Sequence, residues 1–327
     1  MPRRDVVAGF MIALAAPRVA AAQPRKVYRI GVPGFSPATA AMTGPQPTNP
    51  FVAAFLRGMS ELGHVYGEHF VTEPRGAEGR IERYPDFAGE LVRGGVDVIV
   101  AVAAALPALK QATTTIPIVM AGYPDPVGLG FVQSLGRPGG NITGLSLQSI
   151  ELTAKRLELL KELVPTAAVV AVLWDRRNRP VWEEADRAAR SRGWKLLSLE
   201  IRDAGDIEAA FKAAKAARAG SLLAAAGPVV PQFRHVTELA AGHRIPVMYE
   251  FGFFVEAGGL MSYGGDLVDV WQRAATFVDR ILKGRKPADL PVEQPSKFEL
   301  VVNLATAKAL GLAIPTSLRL RADRLIE

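Results

Sequence analysis

The chain has no cysteine among its 327 residues. Disulfide bonds and cysteine-ligated metals are therefore excluded, and we expect no lipid anchor on a cysteine. Long apolar runs are also missing, because no internal run approaches the roughly 18 residues that cross a bilayer. The positive mean hydropathy of +0.15 comes instead from many Ala and Val residues.

Catalytic signatures are absent as well. The sequence contains no GxxxxGK[ST] phosphate loop, GxSxG elbow or HExxH helix, and Gly31-Val-Pro-Gly34 lacks the third glycine of a dinucleotide fingerprint. The four histidines show no metal-ligand spacing. They are His64, His69, His235 and His243, and their contexts favour surface or helix-capping roles. We predict a protein that is not an enzyme and that carries no metal or cofactor.

The net charge is +7, and the basic residues are scattered along the chain. Nucleic-acid binding needs Lys and Arg clustered with aromatic residues, and no such stripe occurs. We therefore predict no nucleic-acid partner.

The N-terminal residues are typical of an export signal. Arg3 and Arg4 precede a mostly apolar stretch, residues 6–16, and the small residues 20–22 provide a cleavage site. We predict a signal peptide over residues 1–22, removed before Gln23, with the mature protein unanchored in the periplasm. The alternative is a short buried N-terminal helix.

The rest of the chain alternates short apolar runs with amphipathic segments. Such alternation predicts an α/β protein with parallel sheets and right-handed crossovers. The pattern starts again near residue 151, so we predict two lobes of similar size. Predicted strands cover residues 27–32, 70–74, 96–102, 116–121, 168–174, 195–199, 221–225, 246–249, 260–263 and 298–303. Predicted helices cover residues 50–62, with Asn49 as N-cap, and 84–93, 107–112, 151–163, 180–192, 206–218, 232–243, 267–282 and 304–310.

Residues 116–146 form the central stretch, IPIVMAGYPDPVGLGFVQSLGRPGGNITGLS. A buried strand ends there in a turn that carries Tyr123 and Asp125, and a short helix-like segment follows. Open α/β sheets bind their ligands at the carboxyl ends of strands. The turn is therefore a candidate binding loop.

Several strings in the chain carry a family resemblance. They are TTTIPIV at 113–119, DPV at 125–127, RPGGNITG at 137–144, KRLELLKELVP at 155–165, GGLMSYG at 258–264, PSKFELVVN at 295–303 and ATAKALG at 305–311. With these strings the chain resembles the ABC-transporter solute-binding proteins of the tryptophan/tyrosine-uptake type. The resemblance implies a type I periplasmic-binding-protein fold, in which two Rossmann-like lobes with parallel sheets are joined by a three-segment hinge.

The resemblance also implies an organisation and a function. An N-terminal lobe would comprise residues 23–143 and 264–296, and a C-terminal lobe residues 144–263 and 297–327, with the chain crossing near 141–146, 260–265 and 295–297. A small amino-acid-like ligand, or an aromatic or branched carboxylate, would be captured between the lobes by hinge closure. The expected partners are an inner-membrane ABC permease and its cytoplasmic ATPase, and the protein is expected to be a monomer. Two alternatives stay open: a component that presents ligand to a receptor kinase, and an exported α/β enzyme.

Candidate ligand contacts are the loops at strand carboxyl ends, which line the cleft between facing sheets. A carboxylate there can hold an ammonium group, hydroxyls and loop amides can hold a carboxylate, and aromatic rings can cover an apolar side chain. The first-lobe candidates are Phe35, Ser36, Ala105, Leu106, Tyr123 and Asp125. The second-lobe candidates are Asp175, Asn178, Gly227, Pro228, Tyr249 and Glu250.

Some candidates have structural alternatives. Asp125 is equally suited to capping a helix, Asp175 and Asn178 to forming a turn, and Tyr249 to packing in the core. The chain also departs from the family pattern twice. Leu106-Pro107 replaces a Thr-Pro pair, and Gly227-Pro228 replaces an acidic residue before proline. The cleft is therefore expected to be more apolar than that of an amino-acid binder, which leaves an amine-free acid as a possible ligand.

Overall fold

The computed structural model describes residues 26–35, 37–176, 179–225, 227, 229–230 and 232–327. The predicted signal peptide and the candidates Ser36, Asn178 and Pro228 lie outside the described residues. Among those described, no helix is long and apolar enough to span a membrane.

The first sheet contains five parallel strands in the order β2-β1-β3-β4-β5, within the described part of the chain. This order reverses direction between β1 and β3, which is where open α/β sheets bind ligands. The strands are β1 Tyr28–Gly34, β2 Phe70–Gly76, β3 Val98–Ala101, β4 Ile118–Tyr123 and β5 Ile142–Ser146. The helices that follow them are α1 Pro50–Glu61, α2 Tyr84–Arg93 and α3 Leu106–Ala112.

The second sheet contains seven strands among the described residues, in the order β12-β11-β10-β9-β8-β6-β7, and only the β10–β11 pair is antiparallel. Its strands are β6 Val169–Asp175, β7 Lys195–Ile201, β8 Ser221–Ala224, β9 Val247–Tyr249, β10 Met261–Gly265, β11 Phe298–Asn303 and β12 Arg324–Ile326. The accompanying helices are α4 Thr153–Leu163, α5 Arg179–Arg190, α6 Ile207–Ala216, α7 Phe233–His243, α8 Gly252–Glu256, α9 Leu267–Leu282, α10 Leu304–Leu310 and α11 Thr316–Arg321.

Each sheet is covered on both faces by helices. In the first lobe α1 and α9 pack on one face, and α2 and α3 pack on the other. In the second lobe α6 and α7 cover one face, and α4 and α5 cover the other. Strands buried on both faces are continuous apolar runs, and β3, β4 and β5 are buried along their whole length. The predicted α/β class with two parallel-sheet lobes is confirmed.

Local sequence signals account for several element boundaries. Asn49 caps α1 by accepting a hydrogen bond from the Val52 amide at 3.0 Å, and Pro50 occupies the first helical turn. Asp266 caps α9 in the same way through the amides of Val268 and Asp269. Both helices start where the sequence predicts.

The prediction of a helix-like segment after Asp125 is wrong. Residues 126–130 form consecutive turns, and the bends that follow contain no helix. Asp125 nevertheless caps this turn, because its Oδ1 accepts a hydrogen bond from the Gly128 amide at 2.8 Å. Glycines at 128, 130 and 136 disfavour a helix there.

The chain passes between the two sheets three times. β5 pairs with β4 as far as Ser146, and β10 pairs in the second sheet as far as Gly265. Residue 293 then forms a bridge to Leu145 before the chain enters β11. The first two changes of sheet therefore follow Ser146 and Gly265.

Candidate functional site

The first-lobe candidates that the structure describes lie along the carboxyl edge of the first sheet. Phe35 directly follows β1, is half-buried, and accepts a hydrogen bond at its carbonyl from the Gly79 amide at 2.9 Å. Tyr123 ends β4, and its ring centroid lies 4.8 Å from that of Phe131. Phe35 and Tyr123 are thus the aromatic candidates at this edge, and Tyr123 is 7% exposed.

Ala105 and Leu106 lie after β3 and are fully packed. Leu106 opens α3 with no exposed surface, and Ala105 is 1% exposed. Both belong to the apolar cluster that contains Ile118 and Met120. An apolar residue at Leu106 therefore completes the packing between α3 and the sheet.

Asp175 and Gly227 come together at the carboxyl edge of the second sheet. Asp175 is the last residue of β6, and the residue is 6% exposed. Gly227 follows β8 with φ of +111°, and a Cβ atom there would lie 2.9 Å from Asp175 Oδ2. Only glycine combines this backbone conformation with so close an approach. The departure from the family pattern at Gly227 therefore makes room for a buried carboxylate on the neighbouring strand.

A cluster of aromatic side chains from α7, β9 and α8 follows Gly227 in the chain. The ring of Phe233, at the start of α7, lies 5.4 Å from Phe253 of α8, and Phe253 stacks on Phe251 at 5.5 Å. Tyr249 ends β9, is fully buried, and stacks on Phe254 at 4.7 Å. Burial raises the pKa of Tyr249 well above its ordinary value.

Glu250 is paired with a residue that sequence reasoning missed. Arg156 on α4 and Glu250 are each 2% exposed, and Arg156 Nη1 donates to Glu250 Oε1 at 2.8 Å. Burial lowers the pKa of Arg156, while the Glu250 charge opposes that shift. Arginine stays protonated at physiological pH, so this is a buried ion pair.

A signal for Arg156 is present in the sequence. It lies four residues before Leu160 and seven before Leu163, so it occupies the apolar face of α4. A charged residue at such a position requires a buried partner. Phe233 and Phe253 had no comparable signal.

The site contains no arrangement that suggests metal binding. Among the described residues, no three His, Asp or Glu side chains are grouped so that they could hold a metal ion. The groups at the two edges are carboxylates, aromatic rings and loop amides. They suit binding of a small polar molecule with an apolar part.

Two solved structures share this architecture. One is a Streptococcus pneumoniae ABC domain in complex with L-Trp, with a TM-score of 0.82 and 24% identity over 92% of this chain and 100% of that chain. Another is a ligand-free, open substrate-binding protein with adhesive properties from Clostridium difficile, with a TM-score of 0.67 and 23% identity over 92% of this chain and 99% of that one. The fold is therefore that of a two-lobed periplasmic binding protein.

A match to a protein-family model identifies the family within this class of binding proteins. The model for ABC transporter substrate binding proteins matches residues 49–326, and the chain belongs to this family of binding proteins, which are not enzymes. A curated relative, the tyrosine-binding protein of Clostridioides difficile strain R20291, is 25% identical over 263 residues, covering 79% of this chain and 75% of the relative.

Proposed function

We propose that this protein captures an L-amino acid with an aromatic side chain and delivers it to an ABC importer. The observation that carries the proposal is the buried carboxylate of Asp175 at the edge of the second sheet, in a chain of the substrate-binding family. A tyrosine-binding relative and a structurally similar L-Trp complex support an aromatic amino acid as ligand.

Asp175 is proposed to hold the ligand's ammonium group. A carboxylate forms charge-assisted hydrogen bonds that are stronger than neutral ones. Gly227 lies against the carboxyl group, where a Cβ atom would be 2.9 Å from Asp175 Oδ2, so no side chain at this position covers the carboxylate. In this proposal Asp175 supplies an acidic anchor that the chain lacks at Gly227.

The aromatic residues are proposed to cover the ligand's side chain. The rings proposed for this contact are Phe35 and Tyr123 from the first lobe and Phe251 and Phe253 from the second, of which Phe35 and Phe253 are half-buried and Tyr123 and Phe251 are buried. Burying an aromatic side chain removes roughly 150–250 Å² from water, which contributes about 4–6 kcal/mol. Micromolar binding needs about 8 kcal/mol. Apolar contact alone falls short, so a charged anchor such as Asp175 is required.

Capture is proposed to proceed by closure of the two lobes. A ligand drives closure only if it binds the closed state better than the open one. A molecule held by both Tyr123 and Asp175 meets this condition, because it contacts both lobes only when they approach.

We further propose that the mature chain acts in the periplasm, since substrate-binding proteins of ABC transporters are generally extracytoplasmic, and that the closed form docks on a membrane permease.

Isothermal titration tests the proposed ligand. Protein covering residues 23–327 would be unfolded and refolded to remove carried-over ligand, and titrated with L-tyrosine, L-tryptophan, L-phenylalanine and L-leucine. The amine-free analogue 3-phenylpropionate completes the panel. We expect micromolar binding of the aromatic amino acids only, with weaker but measurable binding of 3-phenylpropionate. Binding of 3-phenylpropionate as tightly as L-phenylalanine would contradict a role for the ammonium group.

A further inference from the structure

The connection between β5 and α4 is anchored separately to each lobe. We call residues 147–149 the first crossing. On the first-lobe side, the Leu147 amide donates to the Tyr123 carbonyl at 2.8 Å. The Leu147 side chain also packs against Gly122, where a Cβ atom would lie 2.8 Å from Leu147 Cδ2. Leu147 is therefore fixed to the end of β4.

Arg156 anchors the other end of the first crossing to the second lobe. Its Nη1 donates to the Ser149 carbonyl at 2.8 Å, and its Nε donates to the Tyr263 carbonyl at 2.7 Å. Tyr263 belongs to β10, which leads into the second change of sheet at Gly265. One buried guanidinium thus holds two connections between the lobes and, through the ion pair, Glu250 at the end of β9.

Gln148 is the single residue between these two anchors. Its φ is +51°, in the left-handed region that residues other than glycine seldom adopt. Strained backbone of this kind persists only where the surroundings impose it, and it occurs often in switch regions. Here the surroundings are the Leu147 and Ser149 anchors on either side and the Leu152 amide, which donates to the Gln148 carbonyl at 3.1 Å.

We infer that the first crossing bends at Gln148 and that Arg156 is a positioning residue for the hinge. Arg156 keeps Ser149 and Tyr263 fixed to the second lobe, together with Thr153 Oγ1, which donates to the Ser149 carbonyl at 3.0 Å, and with the pairing of Tyr263 on β11. Rotation between the lobes is therefore confined to Gln148 in this connection. The lobe motion belongs to the proposed function, whereas the place of bending follows from these contacts. Because the ion pair includes Glu250, the start of the loop after β9 is fixed to the same helix of the second lobe.

The experiment measures the distance between the lobes in ligand-free protein. The chain has no cysteine, so spin labels attach only at introduced sites. Asp86→Cys on α2 and Ala209→Cys on α6 are exposed positions on different lobes. Pulsed electron paramagnetic resonance then gives the distribution of label distances for each hinge variant.

We expect Arg156→Met combined with Glu250→Met to broaden this distribution about twofold, because two connections lose their contacts with Arg156 while the Ser149 carbonyl keeps its hydrogen bond from Thr153 Oγ1. The double variant leaves no unpaired buried charge, which keeps it foldable. Arg156→Lys retains the charge but loses the planar fork, so it should broaden the distribution less. Lys155→Met is the matched control on the same helix, since Lys155 is half-buried and pairs with Glu158 three residues further along α4; it should leave the distribution unchanged.

Gln148→Gly gives a second measurement that does not depend on the ion pair. Glycine adopts positive φ freely, so bending at this residue predicts a broader distribution with every side-chain contact of Arg156 retained. A wild-type distribution in Gln148→Gly would overturn the place of bending. A wild-type distribution in a folded Arg156 variant would overturn the positioning role. Failure of wild-type protein to bind L-tyrosine or L-tryptophan would contradict the proposed ligand and leave both of these measurements unaffected.

Discussion

Asp175 is the residue on which the proposed ligand depends most directly. Asp175→Asn removes the negative charge while keeping the shape of the side chain. We expect the dissociation constant for L-phenylalanine to rise about 10- to 100-fold, because a hydrogen bond to a charged group contributes about 1.5–3 kcal/mol. Binding of 3-phenylpropionate should not weaken. Isothermal titration of both ligands against both proteins measures the difference.

Glu200 provides the matched control for this substitution. It lies on the neighbouring strand β7, pairs with exposed Arg176, and keeps 41% of its side chain exposed. Glu200→Gln should leave both dissociation constants unchanged. An equal loss of affinity for L-phenylalanine in the two variants would point to a general effect of charge and would contradict the specific role of Asp175.

At the residue scale, the sequence identifies candidates but not their partners. The loops that carry Asp175 and Gly227 were predicted separately, from their positions after strands. Their approach depends on pairing between β6 and β8, which local patterns do not reveal. Arg156 was missed for a related reason, because its partners Glu250 and Tyr263 are 94 and 107 residues away in sequence.

At the scale of elements, the packing of α1 on α9 depends on Gly58. A Cβ atom at this position would lie 2.3 Å from the Gln272 carbonyl oxygen of α9. In Gly58→Ala the two helices must move apart, which costs about 1–3 kcal/mol of unfolding free energy despite the higher helix propensity of alanine. Urea denaturation measures the loss.

Gly242→Ala is the control for this helix substitution. Gly242 lies in α7, and nothing comes within 4 Å of a Cβ atom built there. The same change should therefore stabilise the protein by up to about 1 kcal/mol through helix propensity alone. Stabilisation by both substitutions would show that the contact between α1 and α9 tolerates a methyl group.

A second contact holds α9 in the first lobe and depends on pH. Asp279 of α9 lies 2.8 Å from His64 Nε2 and 2.8 Å from Lys283 Nζ, and its side chain is 9% exposed. Burial alone would raise the pKa of Asp279, but hydrogen bonds from Lys283 and His64 outweigh it, so the pKa is below the ordinary 3.8. The contact therefore stabilises the fold above pH 3.8 and is lost as the pH falls through the lowered pKa.

Asp279→Asn tests this dependence. We expect the variant to lose about 1–3 kcal/mol of unfolding free energy at neutral pH, since the hydrogen bonds to a charged group are removed. Below the lowered pKa the wild-type carboxyl group is neutral, and the two proteins should become similar in stability. Denaturation curves at several pH values measure this, with exposed Asp289→Asn as the control. A constant difference between Asp279→Asn and wild type at every pH would contradict the prediction.

Long elements were predictable and short edge elements were not. The sequence predicts α2, α9, α10 and β11 at their observed bounds, because each has a clear apolar period or a capping residue. It does not predict α8, α11 or β12. These elements have three to six residues, too few for a period to appear, and β12 depends on pairing with β11 at the sheet edge.

At the scale of the whole molecule, the lobes are not continuous pieces of chain. α9 lies in sequence between β10 and β11 of the second sheet, yet it packs on α1 and on β3, β4 and β5 of the first lobe. Its buried face includes Trp271, Phe277 and Val278. Each large side chain buried there contributes about 1.5–3 kcal/mol. The first lobe therefore depends on a helix that the chain supplies only after completing much of the second.

This topology predicts how fragments behave. Residues 26–146 contain the first sheet without α9, and losing its buried face removes on the order of 10 kcal/mol, comparable with the entire stability of an ordinary domain. We expect no cooperative urea transition in this fragment by circular dichroism. Joining residues 266–290 through a flexible linker should restore one. Trp271 is then the only tryptophan in the joined protein. In the full chain it is 4% exposed and its ring stacks on Phe51. A blue shift of its fluorescence emission would therefore report docking of α9. A cooperative transition in residues 26–146 alone would show instead that the first lobe folds without the returning helix.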